Sequence, residues 1–379
     1  MVLPRSCVYI SLAKTVAPMK QVWYNLGKIG FRGEIEMNIT FLIGNGFDIN
    51  LGLKTRYTDF YPYYLSKKHN DIISKAVADN YDRWADLELA LGQLLSNVSP
   101  DQVTEFLDSK AVLESDLADY LRLEQQRIDI TSATIQEEFK KKITEFYNEF
   151  STKDKNTYLG WQKQVGGVIR YQFISFNYTN ALDGIVEPAK RDKQFGSHST
   201  SSQSYHDTVG GVVHLHGTLS GELILGLDNV KQIGNPDLQS SPELTNYIIK
   251  ATVNEALGEG KTESAKQLID ASDYVCVYGM SLGDTDLMWW TYLVNWLNGK
   301  SSRRLVLYVY EKATTNPSGP EKLRQQDKWK NKFLKIAGTK PELYDKLRSQ
   351  IVVVLRSKIF DFSDIKLSSE EIEKELASV

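Results

Sequence analysis

Residues Asn38–Phe60 read NITFLIGNGFDINLGLKTRYTDF. An apolar run, Ile39 to Ile43, passes straight into Gly44-Asn45-Gly46, and a polar and aromatic segment follows. A run that is mostly β-branched or aromatic predicts a strand buried on both faces. The two glycines predict a tight turn at its carboxyl end, where backbone can approach a ligand's phosphates closely. A further glycine, Gly52, stands six residues after Gly46, and Ile49 occupies the third glycine's place in the dinucleotide fingerprint GxGxxG. The loop is therefore not that of an ordinary NAD-dependent dehydrogenase. A strand, a turn and a helix with no ligand is the plain alternative.

The chain has 379 residues, which suggests two or three folding units. Its 41% hydrophobic and 25% charged residues are those of an ordinary globular protein. A net charge of -3 excludes a global basic field that would draw it to nucleic acid or a membrane. The two cysteines, Cys7 and Cys276, form neither a disulfide framework nor a zinc spacing, so a reducing cytoplasm is the natural compartment. No apolar run reaches the ~20 residues of a membrane helix. Residues 1–36 carry five basic residues against two acids and contain no clear secretory signal. They read as an upstream-start extension, with Met37 as the functional start.

Beyond the first loop, residues 58–164 show helical spacing and little strand signal. Trp84, Leu87, Leu91, Leu94 and Leu95 mark one amphipathic stripe. Leu107, Val112, Leu113, Leu117 and Leu121 mark another, and Ile135, Phe139, Ile143 and Phe146 a third. This stretch is expected to be an α-helical insertion lobe. Strand signals resume at Tyr171–Ser175, Val212–Leu215, Tyr274–Tyr278, Leu305–Tyr310 and Ile351–Leu355. Short buried strands alternating with helices predict an α/β fold, a Rossmann-like parallel sheet of about six strands. Residues 37–57 and 165–379 would form that nucleotide-binding domain. Gly196–Gly211, rich in Ser, His and Gly, reads as a surface loop, and Ser368–Ala377 as a terminal helix with a capping pattern.

Four polar segments follow predicted strands: GNGFD, FNYTN, HGT and GMSLGDTD. In an open α/β sheet the carboxyl edge is where ligands bind. Asn177 offers an amide that can orient a water, and His216 a group that titrates near neutrality. Asp48 suits either a ribose hydroxyl or a helix cap, and so do Asp284 and Asp286. His214 shares a strand face with His216 and is expected to pack; no third ligand completes a metal site there. Lys54 and Arg56 read as surface charge, and Glu88 as a buried polar contact of unassigned role.

LIGNGFDINLGLKTRYTDF, WADLELALG, FISFNYTN, HLHGTL and YGMSLGDTD, in this order from Met37 to Asp286, resemble the abortive-infection AbiH family of prokaryotic antiviral proteins. That family is in turn similar to the sirtuin-like NAD-binding fold. The resemblance implies that Gly44, Asn45 and Gly46, with Phe47 and Asp48 beside them, hold the phosphates and ribose of NAD. It implies that Asn177, paired with Tyr178, positions a water. It implies that His216, before Gly217, is a base or ribose contact, and that Gly279, Ser281 and Asp284 touch the nucleotide. The chain departs from the sirtuin-like pattern at Asn45, where alanine is usual, and at Thr179, where an acid is common. It lacks a four-cysteine zinc module, so no metal is expected and deacylation of the sirtuin kind is not.

The expected function is an antiphage effector that binds and hydrolyses NAD or a related nucleotide, with room for a phage-derived trigger and a homo-oligomer. A nucleotide-binding sensor without turnover is the alternative suggested by Thr179. A nuclease or RNA-binding effector would have to use the basic run Lys140, Lys141, Lys142, Lys153 and Lys155, which more simply reads as a solvated face.

Overall fold

The computed structural model describes residues 36–80, 84–258, 260–310 and 318–362. The proposed extension, apart from Glu36, and the terminal helix at Ser368–Ala377 lie outside them. Seven strands form one sheet: β1 (Met37–Ile43), β2 (Ile169–Ser175), β3 (Gly196–Ser199), β4 (Ser204–His214), β5 (Tyr274–Tyr278), β6 (Arg304–Val309) and β7 (Ile351–Leu355). Their order is β3-β4-β2-β1-β5-β6-β7, and every pair is parallel except β3 with β4. The six parallel strands, numbered along the chain, therefore lie 3-2-1-4-5-6, the Rossmann order with its reversal between β1 and β5.

The helices up to β2 are α1 (Gly46–Asn50), α2 (Tyr57–Ser66), α3 (Ile72–Asp79), α4 (Leu87–Leu94), α5 (Val103–Gln125), α6 (Ala133–Thr144) and α7 (Thr152–Gln162). Those after it are α8 (Ala181–Arg191), α9 (Pro242–Ile248), α10 (Lys250–Ala256), α11 (Lys261–Ala271), α12 (Leu287–Gly299), α13 (Gly319–Ile336) and α14 (Tyr344–Arg348). Among the described residues no helix is long and apolar enough to cross a membrane.

Strand periodicity sorts the core into two faces. Ile39, Phe41, Ile43, Tyr274, Cys276 and Tyr278 share one buried cluster, while Leu42, Val275 and Val277 face another under α11, α12 and α13. The first face is dense in rings. Phe41 stacks on Phe173 at 5.7 Å and meets Phe146 edge-on at 5.8 Å. Pairs of this geometry add about 0.5–1.5 kcal/mol to the area they bury.

Two sequence expectations are corrected. The helical stretch is not one lobe. Its first part, α2 to α5, packs Phe60, Leu87, Leu91, Phe106 and Leu113 with Leu225, Leu227, Leu244 and Ile248 from far along the chain. Its second part, α6 and α7, lies on the sheet, because Ile135, Phe139, Ile143 and Tyr158 join the cluster of β1 and β2. The expected loop at 196–211 is instead the edge hairpin of β3 and β4. Its polar residues are satisfied in place: His198 Nδ1 lies 2.7 Å from Asp207 Oδ1, which also accepts the Ile169 N–H at 3.2 Å.

Glycine explains how the reversal point closes. A Cβ added at Gly46 would lie 2.5 Å from Gly279 Cα, and one at Gly279, whose φ is +70°, 2.8 Å from Gly46 N. Gly279→Ala should therefore lower the unfolding free energy by about 2–4 kcal/mol, from left-handed strain and overlap together. Gly160→Ala, at an exposed position of α7 with open space around it, should raise it by about 0.5–1 kcal/mol. Urea denaturation of the two variants beside the parent chain checks both signs.

Candidate functional site

The segments after β1, β2, β4 and β5 all reach the carboxyl edge of the sheet, where the strand order reverses. At that point the glycine turn packs backbone against backbone. Gly44 N–H donates to Tyr278 O and Gly46 N–H to Gly279 O, both at 2.9 Å, while Phe47 N–H returns to Gly44 O at 3.0 Å. These amides are spent within the protein rather than presented to a phosphate. Asn45 folds back too, its Nδ2 donating to Thr55 O at 2.9 Å while its Oδ1 accepts from the Thr55 hydroxyl. Phe47 is core, edge-on to Phe360 at 5.3 Å. The turn so far serves loop packing.

Asp48 links the first loop to the second. Asn177 Nδ2 donates to Asp48 Oδ1 at 3.0 Å and to Gly44 O at 3.2 Å, and Thr179 Oγ1 donates to Asp48 Oδ2 at 2.7 Å. Burial raises the Asp48 carboxyl to about 6, against the opposing pull of Thr179, Asn177 and His214. Both N–H groups of Asn177 are thereby used, and its Oδ1 is the atom left to hold a water. Thr179 supplies a hydroxyl donor where an acid would have repelled Asp48. His214 packs, with Nε2 2.7 Å from Asp183 Oδ2 and Nδ1 3.3 Å from Asn177 O.

Beside this lies a buried charged cluster. Lys250, at the start of α10, donates to Glu88 Oε2 of α4 and to Thr285 O, each at 2.9 Å, and sits 3.5 Å from Asp286 Oδ1. His216 Nε2 lies 3.8 Å from the same Asp286 oxygen. Lys250 and Glu88 are each 6% exposed and His216 7%. His216, Asp228, Lys250, Asn254, Asp286 and Trp289 line a cavity of about 20 Å³, room for a single water. The rings of Phe176 and Tyr178 flank His216 at 5.4 and 6.2 Å.

The electrostatics follow from the count of partners. Burial raises Glu88 to about 7, since one nearby ammonium does not outweigh it and Asp286 adds repulsion. Burial also opposes the Lys250 charge, but Glu88, Asp286 and Asp228 more than reverse that, so Lys250 stays protonated. His216 is pushed well below its ordinary range by burial and by Lys250, so it is neutral at pH 7. Glu88 Oε1 and Asp286 Oδ1 are buried without a hydrogen bond. Among the described residues no group of three or more His, Cys, Asp or Glu side chains is arranged to hold a metal ion.

Of the residues singled out in the sequence, Gly44, Gly46 and Gly279 meet one another, Asn177 meets Asp48, and His216 and Tyr178 border the charged cluster. Gly217, at φ +77°, makes the turn after β4. Ser281 and Asp284 are exposed, and Asp284 contributes only its carbonyl, to Gln232 Nε2 at 3.1 Å. Asp286, not Asp284, faces the cavity. Lys250 and Asp228 were missed altogether: both stand in ordinary polar sequence where surface charge is the default.

In a Lys250→Met variant the unpaired carboxylates should lower stability by about 3–5 kcal/mol at high pH. Burial and Asp286 hold Glu88 above its ordinary range even beside Lys250, and loss of that ammonium raises it further, so the Glu88 part of this penalty is small near its ordinary value of about 4.3 and grows as pH rises above it. Denaturant unfolding of the parent and variant at pH 5 and pH 8 measures the difference.

A family model described as bacteriophage abortive infection AbiH matches residues 40–308. A search among curated proteins finds no match.

Proposed function

The chain belongs to the bacteriophage abortive infection AbiH family, and on that premise we propose that it acts as a hydrolase of NAD or a related nucleotide. A part in antiphage abortive infection comes with the family. One observation carries the finer reading. Ionisable side chains from separate elements, the almost fully buried Glu88, His216 and Lys250 and the partly exposed Asp286, converge at the ligand edge of a Rossmann-ordered sheet. Collecting buried charge is costly, and perturbed groups gathered at a cavity mark functional sites.

The chemistry suits cleavage of a nicotinamide–ribose bond. Water adds to the ribose carbon, nicotinamide leaves neutral with the electrons of the broken bond, and one proton is released. Glu88, near 7, can take that proton, and neutral His216 can bond a ribose hydroxyl. Asn177 Oδ1 would orient the water. Positive charge growing on the ribose would be favoured by Asp286 and Glu88. The resting cavity admits one water, so the nucleotide enters only when the site widens, a step suited to a phage-derived trigger.

A sensor that binds nucleotide without turnover is the second reading, favoured by the closed glycine contact and the internal pairing of Lys250. The nucleic-acid reading gains little from the basic run, since Lys140 is paired with Asp192, Lys142 with Glu138, and Lys155 with Asn148.

Purified protein incubated with NAD, with and without extract from phage-infected cells, should release nicotinamide. His216→Ala should slow release about tenfold or more, as for a lost hydrogen bond to the ribose, and Asn177→Ala should slow it as well, both measured below the variants' melting temperatures. Full turnover by both variants would show that the roles are misassigned. Nucleotide binding with no release in any condition would favour the sensor.

A further inference from the structure

The charged cluster is short of positive charge. Glu88, Asp228 and Asp286 surround the single ammonium of Lys250. Asp228 is held at the cavity by the Met288 N–H at 3.5 Å and by Asn229 Nδ2 at 3.2 Å. The neutral ring of His216 adds no compensating charge. Glu88 Oε1, on a residue 6% exposed, has no hydrogen-bond donor, while Asp286 Oδ1 meets the Lys250 ammonium only at 3.5 Å. The surroundings are aromatic: Trp289 lines the cavity, Phe176 lies edge-on to both Trp289 and His216, and Tyr178 stands beside His216.

Three carboxylates around one ammonium, one of them with an unused oxygen, beside aromatic rings are the chemistry that holds a flat organic cation. The same carboxylates repel phosphate oxyanions. We propose that this site recognises the cationic base end of its nucleotide, the oxidised pyridinium ring, by charge. Glu88, Asp228 and Asp286 set that specificity, and the phosphates lie outside the cluster. The identity of the ligand rests on the nucleotide reading above; the preference for a cation is a property of the cluster itself.

Reduction removes the ring's positive charge with little change in size, so oxidised and reduced ligands isolate the effect. Binding to the full chain would be measured calorimetrically for two pairs: NAD+ against NADH, and 1-methylnicotinamide against nicotinamide. The charged member of each pair should bind at least about tenfold more tightly, as expected for one extra charge near buried carboxylates. Asp228→Asn should shrink both preferences to less than about threefold while NADH affinity holds. Glu88→Gln serves as the second variant should Asp228→Asn fail to fold. Equal affinities within a bound pair, or a preference untouched in both variants, would overturn the proposal and leave the nucleotide reading standing. A preference for 1-methylnicotinamide with no dinucleotide binding would do the reverse. Failure of all four ligands to bind, both to the resting chain and with extract from phage-infected cells added to widen the site, would remove both.

Discussion

The arrangement turns on one buried ammonium. Lys250 reaches Glu88 on the helical side and Thr285 O and Asp286 on the sheet side, so three segments remote in sequence meet at its nitrogen. In a site this dry, each carboxylate would be costly alone, and the lysine would be costly without them. The pairing joins the α2–α5 body to the sheet edge and leaves a cavity with room for one water. Holding the cluster together and keeping the site closed are therefore the same interaction.

The glycine turn prepares that edge without being the binding surface itself. Gly44 and Gly46 let the loop after β1 lie against Gly279 after β5, and the contact uses the N–H groups of both glycines. Asp48 then fastens Asn177 and Thr179, which sets the backbone from which Phe176 and Tyr178 reach the His216 ring. The reversal point that commonly opens as a dinucleotide crevice is here a packed seam, and the chemistry-bearing groups sit beside it.

The sheet was legible in the sequence where strands are buried on both faces. Tyr274–Tyr278 and Ile351–Leu355 have the bounds read from their apolar runs, and β1, β2 and β6 differ by a residue or two. The edge hairpin was only partly legible, because most of its residues meet solvent or bury their polarity in pairs such as His198 with Asp207, so β3 and the first part of β4 read as loop and only the apolar end of β4 read as strand. The split of the helical stretch was hidden for another reason: Phe139 and Leu91 show the same helical spacing, and only tertiary packing sends one to the sheet and the other to Leu227. At the site, His216 and Asn177 stood out by following strands. Glu88 stood out without a role. Lys250 carried no local signal, since what makes it special is where the segment carrying it folds.

The central claim is that the buried cluster serves function rather than stability. The Glu88→Gln/Lys250→Met double variant tests it most directly, because it removes the ion pair while keeping similar volume, a change a fold often tolerates. Cells expressing this variant or the parent chain would be challenged with a phage that the parent restricts, with folding of the variant confirmed by its melting temperature. The account predicts a folded protein that no longer protects, with plaque counts at the level of cells lacking the chain. Full protection by the folded double variant would contradict it and reduce the cluster to a structural ion pair.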